Sequence, residues 1–178
     1  MSEFPDRTYA LAENARSIPK IRLPINTEFC YNSRAMLTVT KTVRFDAAHI
    51  LTNHQGMCRN LHGHTYRVDV SVRRGQAPQA AEAPSDMVID FKDLKGVIEA
   101  AVVSRFDHAF IYNETSAAES EIAAVVAKHG MRTVALPWRS TAENLARYFF
   151  TELSACVPGV SSVKVWETPV SCAEYNAD

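Results

Sequence analysis

No CxxC pair, no long apolar run and no surplus of charge of either sign occur in these 178 residues. Each absence removes a class of protein. The four cysteines (Cys30, Cys58, Cys156, Cys172) are scattered, which excludes a disulfide-stapled scaffold and a paired-cysteine metal knuckle. No stretch approaches the roughly 18 apolar residues of a membrane-spanning helix, and "MSEFPDRTYALAENARSIPK" has no apolar core of the kind a secretory signal carries. A cytoplasmic, reduced protein with Cys58 as a free thiol is the expectation. A formal net charge of −1 gives no general attraction to nucleic acid or to an anionic membrane. With 47% hydrophobic and 22% charged residues, the composition is that of an ordinary globular domain.

Charge is nonetheless uneven. Between Lys41 and Arg74 stand Lys41, Arg44, Arg59, Arg67, Arg73 and Arg74 against only Asp46 and Asp69. Such a region attracts a small anionic ligand, although a solvated strand face has the same composition.

Residues 1–35 are largely polar, carry Pro5, Pro19 and Pro24, and show no sustained period. They read as an N-terminal extension, leaving 36–178 as a single domain. In "MLTVTKTVRFDAAH", Leu37, Val39, Val43, Phe45 and Ala47 alternate with polar residues, a strand pattern that His49 continues on its apolar side. A second strand places His62, His64, Tyr66, Val68, Val70 and Val72 on one parity. "GQAPQAAEAPS" is a loop by composition. "MVIDFKDLKGVIEAAVVSRF" predicts a helix capped by Asp90, with Phe91, Leu94, Val97, Ile98, Ala101 and Val102 as its apolar stripe. Residues 114–139 hold a short helix ("ESEIAAVVAKHG") and a strand ("MRTVALPW"). "STAENLARYFFTEL" predicts a helix opened by a capping box of Ser140 and Glu143. "SSVKVWETPV" is a closing strand, with a late hairpin after it. The order of elements is α+β rather than alternating β-α-β.

The chemistry concentrates in "MCRNLHGHTYRVDV". Residues two apart on a strand face the same side, roughly 6.5–7 Å apart, so His62 and His64 can tilt onto one ion. Gly63 between them frees the opposite face for a close approach. Antiparallel pairing would add His49 from the preceding strand. Three histidines without a fourth protein ligand leave an open position, as catalytic zinc requires. Spacing alone admits two roles for Cys58: a fourth ligand closing a structural site, or a thiol beside the open position. Asp107 and His108 stand where the first long helix ends, a place that also suits them structurally through the helix dipole. Glu167 keeps the parity of Val163 and Val165, and a carboxylate on that buried side needs a partner.

Six ordered motifs, "FDAAH" (45–49), "CRNLHGHTY" (58–66), "MVIDFKDLK" (87–95), "FDHAFIYN" (106–113), "STAENLA" (140–146) and "WET" (166–168), give the sequence its likeness. It resembles the 6-pyruvoyl-tetrahydropterin synthase family, which includes the 6-carboxytetrahydropterin synthases of queuosine and deazapurine biosynthesis. The resemblance implies one Zn²⁺ per subunit on His49, His62 and His64. It implies Cys58 as proton acceptor, and His108 assisted by Asp107 as the partner base. It further implies Glu167, with Thr168, as anchor of the pterin's guanidine-like edge, and Thr141, Ala142 and Glu143 as the rest of that pocket. The family fold, the tunnelling fold, is an antiparallel sheet with two helices on one face, joined into a barrel across subunits. A homohexamer with interface active sites is thereby expected. The implied substrate is 7,8-dihydroneopterin triphosphate, bound without nucleic acid or membrane as partner.

Three residues separate Cys58 from the His-Gly-His, which resembles the carboxy-forming subgroup more than the pyruvoyl-forming one. The sister pyruvoyl activity, a non-catalytic zinc-stabilised pterin-binding or oligomerisation module, and a zinc hydrolase are the competing readings. Phe106 replaces the family's usual leucine, and both the extension and residues 114–139, read as an insert between the two helices, depart from its pattern.

Overall fold

Alternating apolar residues dictate the two long strands at the centre of the molecule. The computed structural model describes residues 36–75 and 87–176, so the expected extension 1–35 and most of the loop after the second strand lie outside the described residues. β1 (Met36–His49) and β2 (His62–Gly75) pair antiparallel over their whole length, with Phe45 opposite Tyr66 and His49 opposite His62. β5 (Val160–Thr168) pairs antiparallel with β2, and β6 (Ser171–Asn176) closes the expected late hairpin.

The other half of the sheet departs from the expected antiparallel arrangement. β3 (Ala109–Asn113) and β4 (Thr133–Leu136) complete the order β4-β3-β1-β2-β5-β6, and β3 runs parallel to both β1 and β4. For the β3–β4 pair the cause lies in the 114–139 segment. Parallel neighbours need a crossover, and α3 (Ala117–Lys128) supplies it. β3 carries no alternation to mark it in the sequence, because "AFIYN" is buried on both faces.

One face of the sheet is covered. α1 (Phe91–Ile98) begins at Asp90, whose side chain accepts from the Lys92 amide at 2.6 Å, as the sequence predicts. It continues through a π-helical stretch, Glu99–Val103, into α2 (Ser104–Phe106). The wide turn has a packing reason. Leu94, Ile98, Val102 and Phe106 recur every fourth residue, a period longer than the 3.6 of an α-helix. The π turn absorbs the drift, and all four are fully buried. α4 (Ala142–Cys156) lies beside this helix and buries Leu145, Phe149 and Leu153. Phe45, Tyr66, Phe106 and Phe149 meet between helices and sheet, with ring centroids 5.0–6.1 Å apart along the chain of contacts.

The N-cap of α4 is Thr141, whose hydroxyl accepts from the Asn144 amide, and not the expected Ser140. Ser140 is fully buried one residue earlier, where its polar groups serve a histidine.

Away from β3, where Phe110 packs with Ala123 of α3, the opposite face of the sheet is polar. Arg44 and Arg67 are cross-strand partners there. Arg67 donates to the Asp69 carboxylate at 2.7 Å and stacks 4.4 Å over Trp166, whose indole N–H also donates to Asp69.

Candidate active site

Register alone assembles the histidine cluster. His49 lies directly opposite His62, and Ala47 opposite His64. The three rings therefore share one end of one sheet face, with centroids 4.5, 5.0 and 4.9 Å apart. One nitrogen from each lies within 4.8 Å of the others. Gly63 permits the close pairing: a Cβ there would stand 3.0 Å from the Ala47 carbonyl oxygen.

The outer nitrogens decide what the inner ones are. His49 Nδ1 donates to the Ser140 carbonyl at 2.9 Å, and His62 Nδ1 donates to the Asn60 carbonyl at 2.7 Å. His64 hydrogen-bonds the backbone of Glu167. A neutral imidazole that donates through one nitrogen presents a lone pair on the other. The inward nitrogens of His49 and His62 face each other 3.0 Å apart. Burial, reinforced by the neighbouring histidines, lowers the His49 pKa to about 4 and lowers that of His64, which keeps both rings neutral. Convergent neutral nitrogens with carbonyl-anchored outer edges fit a divalent cation of borderline softness. Ser140, Asn60 and the Glu167 backbone were not legible as supports, because backbone carbonyls carry no sequence signature.

A cavity of about 330 Å³ opens beside this cluster, lined by His49, Cys58, Thr141, Ala142, Glu143 and Glu167 among others. Cys58 is half-buried and carries a free thiol. It reaches the rim in a short 3₁₀ turn, Met57–Arg59. The Glu167 carboxyl is held above its usual range, first by burial and then by Glu143, with His62 opposing. Tyr66 is completely buried beside His49 and His64. Its hydroxyl is the one buried side-chain polar atom without a hydrogen-bond partner among the described residues. Thr168 lines a separate cavity of about 420 Å³ with Arg44, His64, Arg67 and Glu167.

Asp107 and His108 form a pair of their own. Asp107 accepts from the Asp46 amide at 3.0 Å, and its other oxygen lies 2.9 Å from His108 Nδ1. Both contacts hold the Asp107 carboxyl below its ordinary range. His108 has φ of 57°, a left-handed conformation rare for a residue with a side chain. Its backbone N–H donates to the Asp46 carbonyl at 2.6 Å and fixes it there. His108 lines a cavity of about 810 Å³ that it shares with His64, not the one containing Cys58. A single chain thus unites the histidines, and unites Cys58 with Glu167 and residues 141–143, while Asp107 and His108 stand apart.

Helices packed on a mixed sheet, with three histidines gathered at one end of its two central strands where they could hold a metal ion, define an α+β protein with a candidate metal centre. Residues 38–178 match the family model described as 6-pyruvoyl tetrahydropterin synthase, and the chain belongs to that family. It is 41% identical over 141 residues to the 6-carboxy-5,6,7,8-tetrahydropterin synthase of Haemophilus influenzae, covering 79% of this chain and 99% of that protein. It is 33% identical to the protein of the same name from Synechocystis, covering 79% and 93%. Among solved structures it resembles the 6-pyruvoyl tetrahydropterin synthases of Caenorhabditis elegans (TM-score 0.56, 25% identity, 81% of this chain and 97% of that one) and Plasmodium falciparum (0.59, 21%, 80% and 98%). The fold is the tunnelling fold of these proteins. No helix among the described residues is long and apolar enough to cross a membrane.

Proposed function

We propose that the chain is a zinc-dependent 6-carboxy-5,6,7,8-tetrahydropterin synthase, a lyase that turns 7,8-dihydroneopterin triphosphate and water into 6-carboxytetrahydropterin, acetaldehyde and triphosphate. The observation that carries the reading is that His49 belongs to two constellations at once. It is a member of the three-histidine cluster and a wall of the cavity containing Cys58 and Glu167. The names of the curated relatives supply the product.

His49, His62 and His64 hold Zn²⁺, which supplies Lewis acidity toward the hydroxyl oxygens of the substrate's side chain. Cys58 takes a side-chain proton as general base, a role consistent with its place at the cavity rim rather than in the nitrogen cluster. Glu167 receives the donor-rich edge of the pterin, which satisfies a carboxylate that burial otherwise disfavours. Thr141, Ala142 and Glu143 wall the same cavity, and Thr168 continues the strand beyond Glu167. A volume of about 330 Å³ lies at the lower end of small-molecule sites.

His108, oriented by Asp107, is the second proton-transfer group. Its distance from the Cys58 cavity within one chain supports a homo-oligomer, a hexamer, in which a second subunit completes the site. The chain functions in the cytoplasm, in queuosine or deazapurine biosynthesis. Chelation followed by zinc restoration tests the reading: turnover of the triphosphate substrate should disappear and return with about one Zn²⁺ per chain. Undiminished turnover in chelated protein of verified low metal content would overturn it.

A further inference from the structure

The loop that carries Cys58 has few anchors. Residues 53–57 are exposed, and the Leu51 amide closes the loop by donating to the Cys58 carbonyl at 3.0 Å. Among the described residues, the hydrogen bonds joining 51–58 to other elements run through Thr52. Its amide and hydroxyl both donate to Glu119 Oε1, at 3.3 and 3.0 Å, and its hydroxyl also meets that of Ser116 at 3.3 Å.

Glu119 lies in α3 and is 1% exposed. A carboxylate so buried is costly unless donors surround it. Here the Asn113 amide binds the second oxygen at 2.8 Å, so both oxygens are used. The side chain bridges the end of β3 and the root of the Cys58 loop. Apolar contact reinforces the bridge, since Ile50 packs with Ala123 of α3 and with Phe110.

We infer that Glu119 is a positioning residue: it clamps Thr52 to α3 and so fixes where the 51–58 loop presents Cys58 at the cavity. A shift at Thr52 passes to its neighbour Leu51 and across one hydrogen bond to Cys58. Leu51 and Cys58 both line the cavity. The 114–139 segment, which the family resemblance left without a task, thereby supports the site. The catalytic part of this inference rests on the proposed role of Cys58; the structural part does not.

Glu119→Ala and Thr52→Val separate the two. Iodoacetamide alkylation is followed at Cys58, Cys156 and Cys172 by peptide mass spectrometry, beside kcat and KM for the pterin substrate. Glu119→Ala should speed alkylation of Cys58 about tenfold, the scale of one lost charge-assisted hydrogen bond. The exposed Cys156 and Cys172 should react at their original rates. In the same variant kcat should fall about tenfold at nearly constant KM, as expected when a proton acceptor is displaced. Thr52→Val, which leaves the Asn113 contact intact, should shift both readouts in the same direction by less, and it decides the matter if Glu119→Ala does not fold. An unchanged Cys58 rate, or equal acceleration at all three thiols, would overturn the clamp. Absence of turnover in the unmodified protein would overturn the proposed reaction while leaving the thiol rates to judge the clamp.

Discussion

His49 and Ser140 are 91 residues apart in the chain, yet the imidazole Nδ1 donates to the Ser140 carbonyl at 2.9 Å. That bond fixes the tautomer of a buried ring and turns its other nitrogen toward His62. It also ties the first strand to the entrance of α4, so the histidine cluster and the cavity wall at residues 141–143 are set by one contact.

Removal of any one inward nitrogen should therefore dismantle the cluster. His49→Ala, His62→Ala and His64→Ala should each weaken zinc affinity by at least the roughly 10- to 100-fold seen when even supporting groups are lost. Metal content after dialysis against a weak chelator measures this. Full retention by any of the three would remove that histidine from the ligand set.

The acid side of the stability profile carries the signature of His49. Its folded pKa is about 4 against an ordinary 6.5, so between these values the unfolded chain binds the extra proton. Stability of the metal-free protein should be complete above about pH 6.5, fall as pH drops toward 4, and lose nothing further to this group below that. The shift corresponds to about 3 kcal/mol, and His64 is displaced in the same direction. Urea midpoints at pH 5 and pH 7.5 measure the slope, and equal midpoints would contradict the assignment.

Cys58 lines the cavity and lies outside the three-histidine group, and in the proposed reaction it acts on substrate rather than holding metal. Cys58→Ala should keep zinc at the unmodified stoichiometry while turnover falls by about 10²–10⁴-fold, the usual weight of a general base. Joint measurement of metal content and kcat distinguishes the roles, because loss of zinc would make Cys58 a fourth ligand.

Glu167→Gln keeps the shape of the pocket wall and removes the charge. Substrate affinity should weaken about ten- to hundred-fold, as for a lost charged hydrogen bond. The fold should be unharmed, since burial already disfavours this carboxylate in its charged form. A binding titration paired with thermal melting checks both. A variant that binds normally would place the pterin edge elsewhere.

What could be read from sequence followed periodicity. The alternation of β1 and β2 put His49, His62 and His64 on one face, and Glu167 was conspicuous because it broke an apolar parity. β3 was invisible because a strand buried on both faces has no alternation. The parallel half of the sheet followed from a crossover helix whose existence, but not direction, could be read. Ser140 reads as a helix cap, because capping chemistry and a buried carbonyl acceptor look identical in one letter. Glu119 gave no sign of its bridge, since Thr52 and Asn113 reach it only through the fold.

Product analysis separates the assigned reaction from its alternatives. Zinc-loaded protein is incubated with 7,8-dihydroneopterin triphosphate, the pterin is identified by mass spectrometry, and released aldehyde is trapped. 6-Carboxytetrahydropterin with one equivalent of acetaldehyde is the expected outcome. 6-Pyruvoyl-tetrahydropterin without acetaldehyde would contradict the assigned reaction, and zinc held without any turnover would contradict catalysis altogether.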